Sequence, residues 1–316
     1  MRILVVGAGS MGSAAGGFMA KAGHDVTLVG RKNHMRAVRE HGLRITGIWG
    51  EHHVDGMNAQ TDFEGLRRGQ FDLIIVAVKS YDTAEAIDSA KHLVDKDTLV
   101  LSYQNGLGNA ETIAERVGWA RTVGARVIYG VRIPEPGVAE ITVIAEPTAL
   151  GVYAPETPKE RVREIVAAME EAGLPTEYTD SIATKLWQKV TYNCALNPLS
   201  ALLDVPYGRL AESEHTVNIM RDIIFEVYAV GKAMQVPLDP AEPEDYCDRF
   251  LNVLIPPTAA HYASMREDLR QGRRTEIDAL NGAIVRYGKQ KNVPTPANEL
   301  LTRLMAFHEP QTKERT

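Results

Sequence analysis

Residues 2–12, RILVVGAGSMG, set a short apolar run against a glycine-spaced turn, and SAAGGFMAKAG at 13–23 reads as a helix ending at Gly23. The expected order is strand, tight turn, helix. Gly7 permits the turn, Gly9 lets the backbone approach a pyrophosphate, and Gly12 allows close helix packing, while N–H groups at the helix start attract phosphate. A second apolar strand, Val26–Val29, follows. The loop Gly7-Ala8-Gly9-Ser10-Met11-Gly12 therefore has the strand–turn–helix–strand setting of a dinucleotide site, with a ligand-free glycine turn as the alternative.

The end of that second strand selects the cofactor. An Asp or Glu there would hold the ribose hydroxyls of NAD and repel a 2'-phosphate, but this chain has Gly30, Arg31 and Lys32. A guanidinium at that point pairs with a phosphate through two hydrogen bonds, so NADP(H) is expected over NAD(H). The alternative is a basic pair facing solvent.

Apolar strands keep alternating with helical segments, which argues for an α/β domain with a mostly parallel sheet covered on both faces. The clearest buried strand, FDLIIVAV at 71–78, delivers Lys79 and Ser80 to its C-terminal end, and a helix over Thr83–His92 follows. Next, TLVLSY at 98–103 runs into Gln104, Asn105 and Gly106. Both tips fall at the edge where open α/β sheets bind ligands, and Asn105 is placed to reach a nicotinamide or a substrate oxygen; ordinary turn chemistry is the alternative for each. Segments 122–128 and 138–153 read as β-rich around a turn at Pro134–Gly137, 158–172 as an amphipathic helix, and 175–177 as a last extended piece.

Asp180 or Ser181 opens helical sequence, placing a boundary between a nucleotide domain, 1–180, and an all-helical second domain, 181–308, with 309–316 a polar, frayed tail. Helices are expected over roughly 212–234, 241–253, 258–270, 274–290 and 296–307. Within the opening helix, KLWQKVTYNCALNP at 185–198, the residues Lys185, Lys189, Asn193 and Asn197 recur every four positions and stack on one line, while Trp187, Val190 and Cys194 form an apolar side. Either this line is a solvated surface or it is a polar row aimed at a ligand. Asn197 before Pro198 is expected to kink or end the helix. Farther on, Glu276 is read at a helix start that Thr275 caps, with Ile277, Leu280 and Ile284 buried.

Bulk properties fit this picture. The 316 residues, 44% hydrophobic and 24% charged, allow two globular domains, and a net charge of −6 argues against nucleic-acid or anionic-membrane partners. Two cysteines, Cys194 and Cys247, form neither a disulfide framework nor a zinc pattern, and His261 has no second histidine at ligand spacing, so no metal site is expected. No long apolar run or charged leader occurs, which points to a cytoplasmic protein.

Taken together, GAGSMG with Arg31, VAVKSYDT with Lys79, QNGLG with Asn105, KLWQKVTYNCALNPLSAL, and SMREDL followed by RRTEIDALNG resemble the ketopantoate reductase family from Met1 to about Leu304. The Lys-x3-Asn-x3-Asn-Pro helix with Ser264 and Glu276 is the specific part; the glycine loop is shared by many oxidoreductases. The resemblance implies reduction of a small 2-oxo acid by NADPH on the way to pantothenate and coenzyme A, with a Rossmann domain and a helical domain enclosing the cleft. It makes Lys189 the catalytic lysine and Glu276 the essential acid. Asn193, Asn197 and Ser264 fall on substrate positions, Asn105 on one touching substrate and cofactor, and Arg31 and Lys79 on cofactor contacts. Gln104 stands where some members carry histidine, and Lys185 is not a required motif residue.

The chemistry agrees independently. Hydride reaching a ketone carbon leaves negative charge on oxygen, and Lys189 can supply the proton. Desolvation would ease proton loss from a lysine, whereas Glu276 nearby would oppose it. β-Hydroxyacid dehydrogenases share the Rossmann domain and a Lys-x3-Asn helix but leave Ser264 and Glu276 unexplained. A reductase of another branched 2-oxo acid fits the same motifs, and a non-catalytic NADPH-binding regulator would keep the glycine loop and Arg31 but has no use for Lys189 opposite Glu276. A homodimer through the helical domain is compatible with each of these readings.

Overall fold

The computed structural model describes residues 1–309 and divides into two compact units, Met1–Ile182 and one running from Ala183. The tail expected over 309–316 falls, apart from Glu309, outside the described residues. Glu309 itself is tied down: its carboxylate accepts the Thr275 N–H at 2.9 Å and hydroxyl at 2.5 Å.

The first unit carries twelve strands: β1 (Arg2–Val6), β2 (Asp25–Val29), β3 (Leu43–Gly47), β4 (His52–Val54), β5 (Asn58–Gln60), β6 (Leu73–Val76), β7 (Leu99–Ser102), β8 (Thr122–Arg126), β9 (Tyr129–Arg132), β10 (Val138–Ile144), β11 (Thr148–Val152) and β12 (Thr176–Thr179). Eight of them form one sheet in the order β12-β11-β8-β7-β6-β1-β2-β5, parallel except for the β11–β8 pair. Helices α1 (Ser10–Lys21), α2 (Lys32–His41), α3 (Thr83–Ala90), α4 (Asn109–Val117) and α5 (Lys159–Glu171) connect the strands. Because β1, β6 and β7 are buried on both faces, they read as continuous apolar runs rather than alternating ones. Each fully buried Ile, Leu or Val there stabilises the fold by about 1.5–3 kcal/mol.

A second sheet, β4-β3-β10-β9, is not foreseen from the sequence pattern. Helix α1 separates the two sheets. A Cβ on Gly16 would fall 2.7 Å from Leu28 of the large sheet, and one on Gly17 would fall 2.7 Å from Leu43 of the small one. Phe18, Trp49, Tyr103 and Tyr129 fill the seam, with the two tyrosine hydroxyls 3.1 Å apart; burial raises both phenols, so they stay neutral.

In the second unit, the described residues are helical with no strand: α6 (Ile182–Leu203, starting one residue earlier), α7 (Tyr207–Ala211), α8 (Glu214–Ala233), α9 (Pro243–Arg249), α10 (Ser264–Arg270), α11 (Asn281–Lys291) and α12 (Pro296–His308). Helix α6 is buried nearly all round, and Trp187 stacks on Tyr287 of α11 at 6.2 Å. Three expectations need correction. Helix α6 does not end or break into separate helices at Asn197–Pro198 but continues to Leu203. The helix expected over 258–270 is a 3₁₀ turn at Pro256–Thr258 followed only from Ser264 by α10. The helix expected from 274 is a 3₁₀ turn, Ile277–Ala279, separated from α11 by Leu280 at φ −107°, ψ −105°, and Glu276 precedes that turn.

Candidate active site

Parallel pairing brings the ends of β1, β2, β6 and β7 to one edge of the large sheet, so Gly7–Gly12, Arg31, Lys79 and Asn105 share that edge. It lies at β1, flanked by β2 and β6, the switch point where open α/β sheets take ligands. The N–H groups of Gly7 and Ala8 both donate to the Val29 carbonyl, at 3.0 and 2.9 Å, locking the loop to β2.

The loop geometry explains its glycines. Gly7 has φ +94°, and a Cβ there would lie 2.7 Å from the Val78 nitrogen; a Cβ on Gly12 would lie 2.4 Å from the Gly7 carbonyl oxygen. At Gly9 a Cβ meets nothing within 4 Å, so the surface above it is open to a ligand. Helix α1 starts with Ser10-Met11-Gly12, has no acid in its first turn, and no side chain among the described residues caps it. Its unpaired N–H groups and the positive end of its dipole suit a dinucleotide pyrophosphate, while exposed Arg31, at the N-cap of α2, suits a further phosphate.

The tips after β6 and β7 are joined beneath the edge by a buried polar network. The Gln104 amide donates to the Val78 carbonyl at 3.0 Å and to the Thr83 hydroxyl at 2.7 Å. Thr83 Oγ1 lies 2.8 Å from the Ser80 carbonyl and 2.9 Å from Asn109 Oδ1, and the Asn109 amide donates to the Asn105 carbonyl at 2.8 Å. Leaving any of these groups orphaned costs about 1–3 kcal/mol, so the network fixes the backbone carrying Lys79 and Asn105.

His34 provides a further support that sequence reasoning missed. The Gly137 N–H donates to His34 Nδ1 at 3.0 Å, which puts the ring proton on Nε2, 2.9 Å from Ser13 Oγ. The Ser13 hydroxyl in turn reaches the Ala8 carbonyl at 3.4 Å. Burial lowers the His34 pKa, keeping the ring neutral and able to accept from Gly137.

In the second unit, Lys185, Lys189 and Asn193 are half-buried along one line of α6, with Leu186, Trp187, Val190 and Cys194 buried around them. Asn197 continues the line but is buried; its Oδ1 accepts the Tyr207 hydroxyl at 2.7 Å, so the amide group is its donor side. Ser264, exposed at the start of α10, is placed from α6: Ser200 Oγ accepts the Ala263 N–H at 3.3 Å, and the Tyr192 and Thr258 hydroxyls lie 2.6 Å apart. The Arg273 guanidinium donates twice to buried Asp268, at 2.9 and 2.7 Å, clamping the turn that leads from α10 to Glu276. Glu276 is itself buried, beside the anchored Thr275.

His261 makes an edge contact with Tyr207, and no group of three His, Cys, Asp or Glu suited to a metal ion occurs among the described residues. Both cysteines are buried free thiols. No helix among the described residues is long and apolar enough to cross a membrane.

Fold and loop together define a dinucleotide-binding protein of the Rossmann class. The family profile described as "Ketopantoate reductase PanE/ApbA" matches residues 3–155, and its C-terminal counterpart matches 181–309. The chain belongs to the ketopantoate reductase family and is an oxidoreductase. Among its relatives, the 2-dehydropantoate 2-reductase of Aquifex aeolicus is 38% identical over 98% of this chain and 97% of its own, and that of Pyrococcus horikoshii 37% over 98% of each. A ketopantoate reductase structure from Ralstonia eutropha superposes with TM-score 0.86 at 33% identity over 98% of each chain. A D-mandelate dehydrogenase solved with NADH and anilino(oxo)acetate gives 0.85 at 26%, also over 98% of each.

Proposed function

We propose that this enzyme reduces 2-dehydropantoate (ketopantoate) to pantoate with NADPH, in the cytoplasm, on the route to pantothenate and coenzyme A. The observation that carries the proposal is the row Lys189, Asn193, Asn197 along one line of a mostly buried helix, in a chain matched by both family profiles.

Gly7–Gly12 receive the pyrophosphate, Arg31 the 2'-phosphate, and Lys79 a further cofactor oxygen. When bound, NADPH supplies the hydride for the ketone carbon. Lys189 gives a proton to the ketone oxygen as negative charge develops there, so C=O becomes CH–OH with one hydride and one proton added. Glu276 orients the lysine ammonium. Asn105, Asn193, the donor side of Asn197, and Ser264 hold the substrate carboxylate and hydroxyl.

The likeness to a D-mandelate dehydrogenase solved with NADH supports a second reading, in which an aromatic or other branched 2-oxo acid is reduced with NADH. Cofactor oxidation measured with ketopantoate, benzoylformate and branched 2-oxo acids, each with NADPH and NADH, separates the two. Highest kcat/KM for ketopantoate with NADPH is expected. Preference for benzoylformate or for NADH would transfer the assignment to the second reading, and tight NADPH binding without any turnover would indicate a regulator.

A further inference from the structure

Helix α6 contains a proline where the polar row needs regularity. Pro198 has no N–H, so the carbonyl four residues earlier, on Cys194, lacks the helical donor it would otherwise receive. That carbonyl belongs to a fully buried residue, out of reach of bulk water. It accepts instead from the side-chain amide of Asn281, Nδ2 lying 3.1 Å away, 87 positions along the chain.

The orientation of the Asn281 amide is dictated by a chain of donors. The Glu226 carboxylate accepts the N–H groups of Ala297 and Asn298 at 2.8 and 2.9 Å and the Asn298 side-chain amide at 2.7 Å. A carboxylate only accepts, so Asn298 must turn its Nδ2 toward Glu226 and its Oδ1 toward Asn281. Asn281 Nδ2 donates to that oxygen at 3.0 Å as well as to Cys194. Its own Oδ1 is left buried with no hydrogen-bond partner among the described residues. A flipped amide would instead face two acceptors with an oxygen, the worse outcome. The buried site thus tolerates one unsatisfied oxygen in order to aim a donor at Cys194.

We propose that Asn281 is a positioning residue: its amide replaces the backbone donor that Pro198 lacks, holding Asn193 and Asn197 in helical register with Lys189. Its effect on turnover rests on the function proposed above, whereas its effect on the helix does not. Asn281 also stands five residues after Glu276, so one side chain ties the acid's segment to the helix of the proton donor.

The test is a double-mutant cycle of wild type, Pro198→Ala, Asn281→Leu and the pair, read as kcat and KM for ketopantoate, Kd for NADPH, and Tm. Asn281→Leu should lower kcat about tenfold to a hundredfold, the scale of a small misplacement at a reacting centre, with NADPH affinity changed less than about twofold. Alanine at 198 restores the N–H, so the pair should recover kcat to within about threefold of wild type, and Pro198→Ala alone should stay within about twofold. The pair should regain only part of the Tm, since Asn298 Oδ1 stays unpartnered. A purely structural role for Asn281 would leave the pair as impaired as the single variant. That result, an unimpaired Asn281→Leu, or failure of both Asn281→Leu and the pair to fold would overturn the proposal. Should wild type ignore ketopantoate, the function fails by itself, and the cycle in Tm still decides the bridge.

Discussion

The glycine-loop edge of the first unit and the polar row of the second are built by opposite means. The first is made of backbone: glycines, a helix start and strand ends locked by hydrogen bonds to neighbouring strands. The second is made of side chains on one long helix, where the Cys194 carbonyl accepts from an amide 87 residues away. A backbone-made site needs only local pattern and tolerates variation wherever a side chain points outward. A side-chain-made site inherits every constraint on the helix beneath it.

Variants can sharpen or break that contrast. Within the first unit the largest effect is expected at Arg31, the side chain proposed to select the cofactor. Arg31→Ala should weaken NADPH binding by about 1.5–3 kcal/mol, roughly ten- to a hundredfold, the range for a charged hydrogen-bonded pair. NADH binding should hardly change. Equal losses in fluorescence titrations with the two cofactors would remove Arg31 from the 2'-phosphate site.

Next come two glycines of the same loop that should behave differently. In Gly12→Ala the new methyl lies 2.4 Å from the Gly7 carbonyl oxygen, so stability should fall by about 1–3 kcal/mol. In Gly9→Ala it enters open space, so Tm should be retained while NADPH affinity falls through crowding of the pyrophosphate. If both variants lose Tm alike, the loop's shape, not ligand approach, explains Gly9.

The smallest effect concerns pH. Burial lowers the His34 pKa in the fold, so the unfolded chain binds the proton more readily. The stabilisation is therefore complete above about pH 6.5 and is lost as pH falls through the lower, folded value. Protonation would also place a hydrogen on Nδ1 against the Gly137 N–H. The wild type should lose more stability between about pH 7.5 and pH 5 than His34→Gln does, by at most about 1.4 kcal/mol for every tenfold by which folding weakens proton binding. Parallel pH profiles would mean that His34 does not titrate in this range.

The same contrast decides what could be read in advance. The Rossmann class was legible because β1, the glycine loop and α1 are contiguous in the sequence. The four-residue spacing likewise placed Lys185, Lys189, Asn193 and Asn197 on one helix. The four-stranded sheet was hidden because β3 mixes buried and exposed polar positions and pairs with β10, far along the chain. Pro198 reads as a kink or an end because its remedy, Asn281, carries no local signal. Gln104, Thr83, Asn109 and His34 escaped for the same reason: each is a single polar residue with at least one partner 21 or more positions away. Only His34 offered a hint, three residues after Arg31.

The central claim is that Lys189 protonates the reduced ketone. Steady-state and single-turnover oxidation of NADPH with ketopantoate, for wild type and Lys189→Ala, tests it most directly. The variant should lose about 10²–10⁴-fold in the hydride-transfer rate, the usual contribution of general acid catalysis, while ketopantoate and NADPH still bind. An unchanged single-turnover rate, or a loss confined to KM, would contradict it.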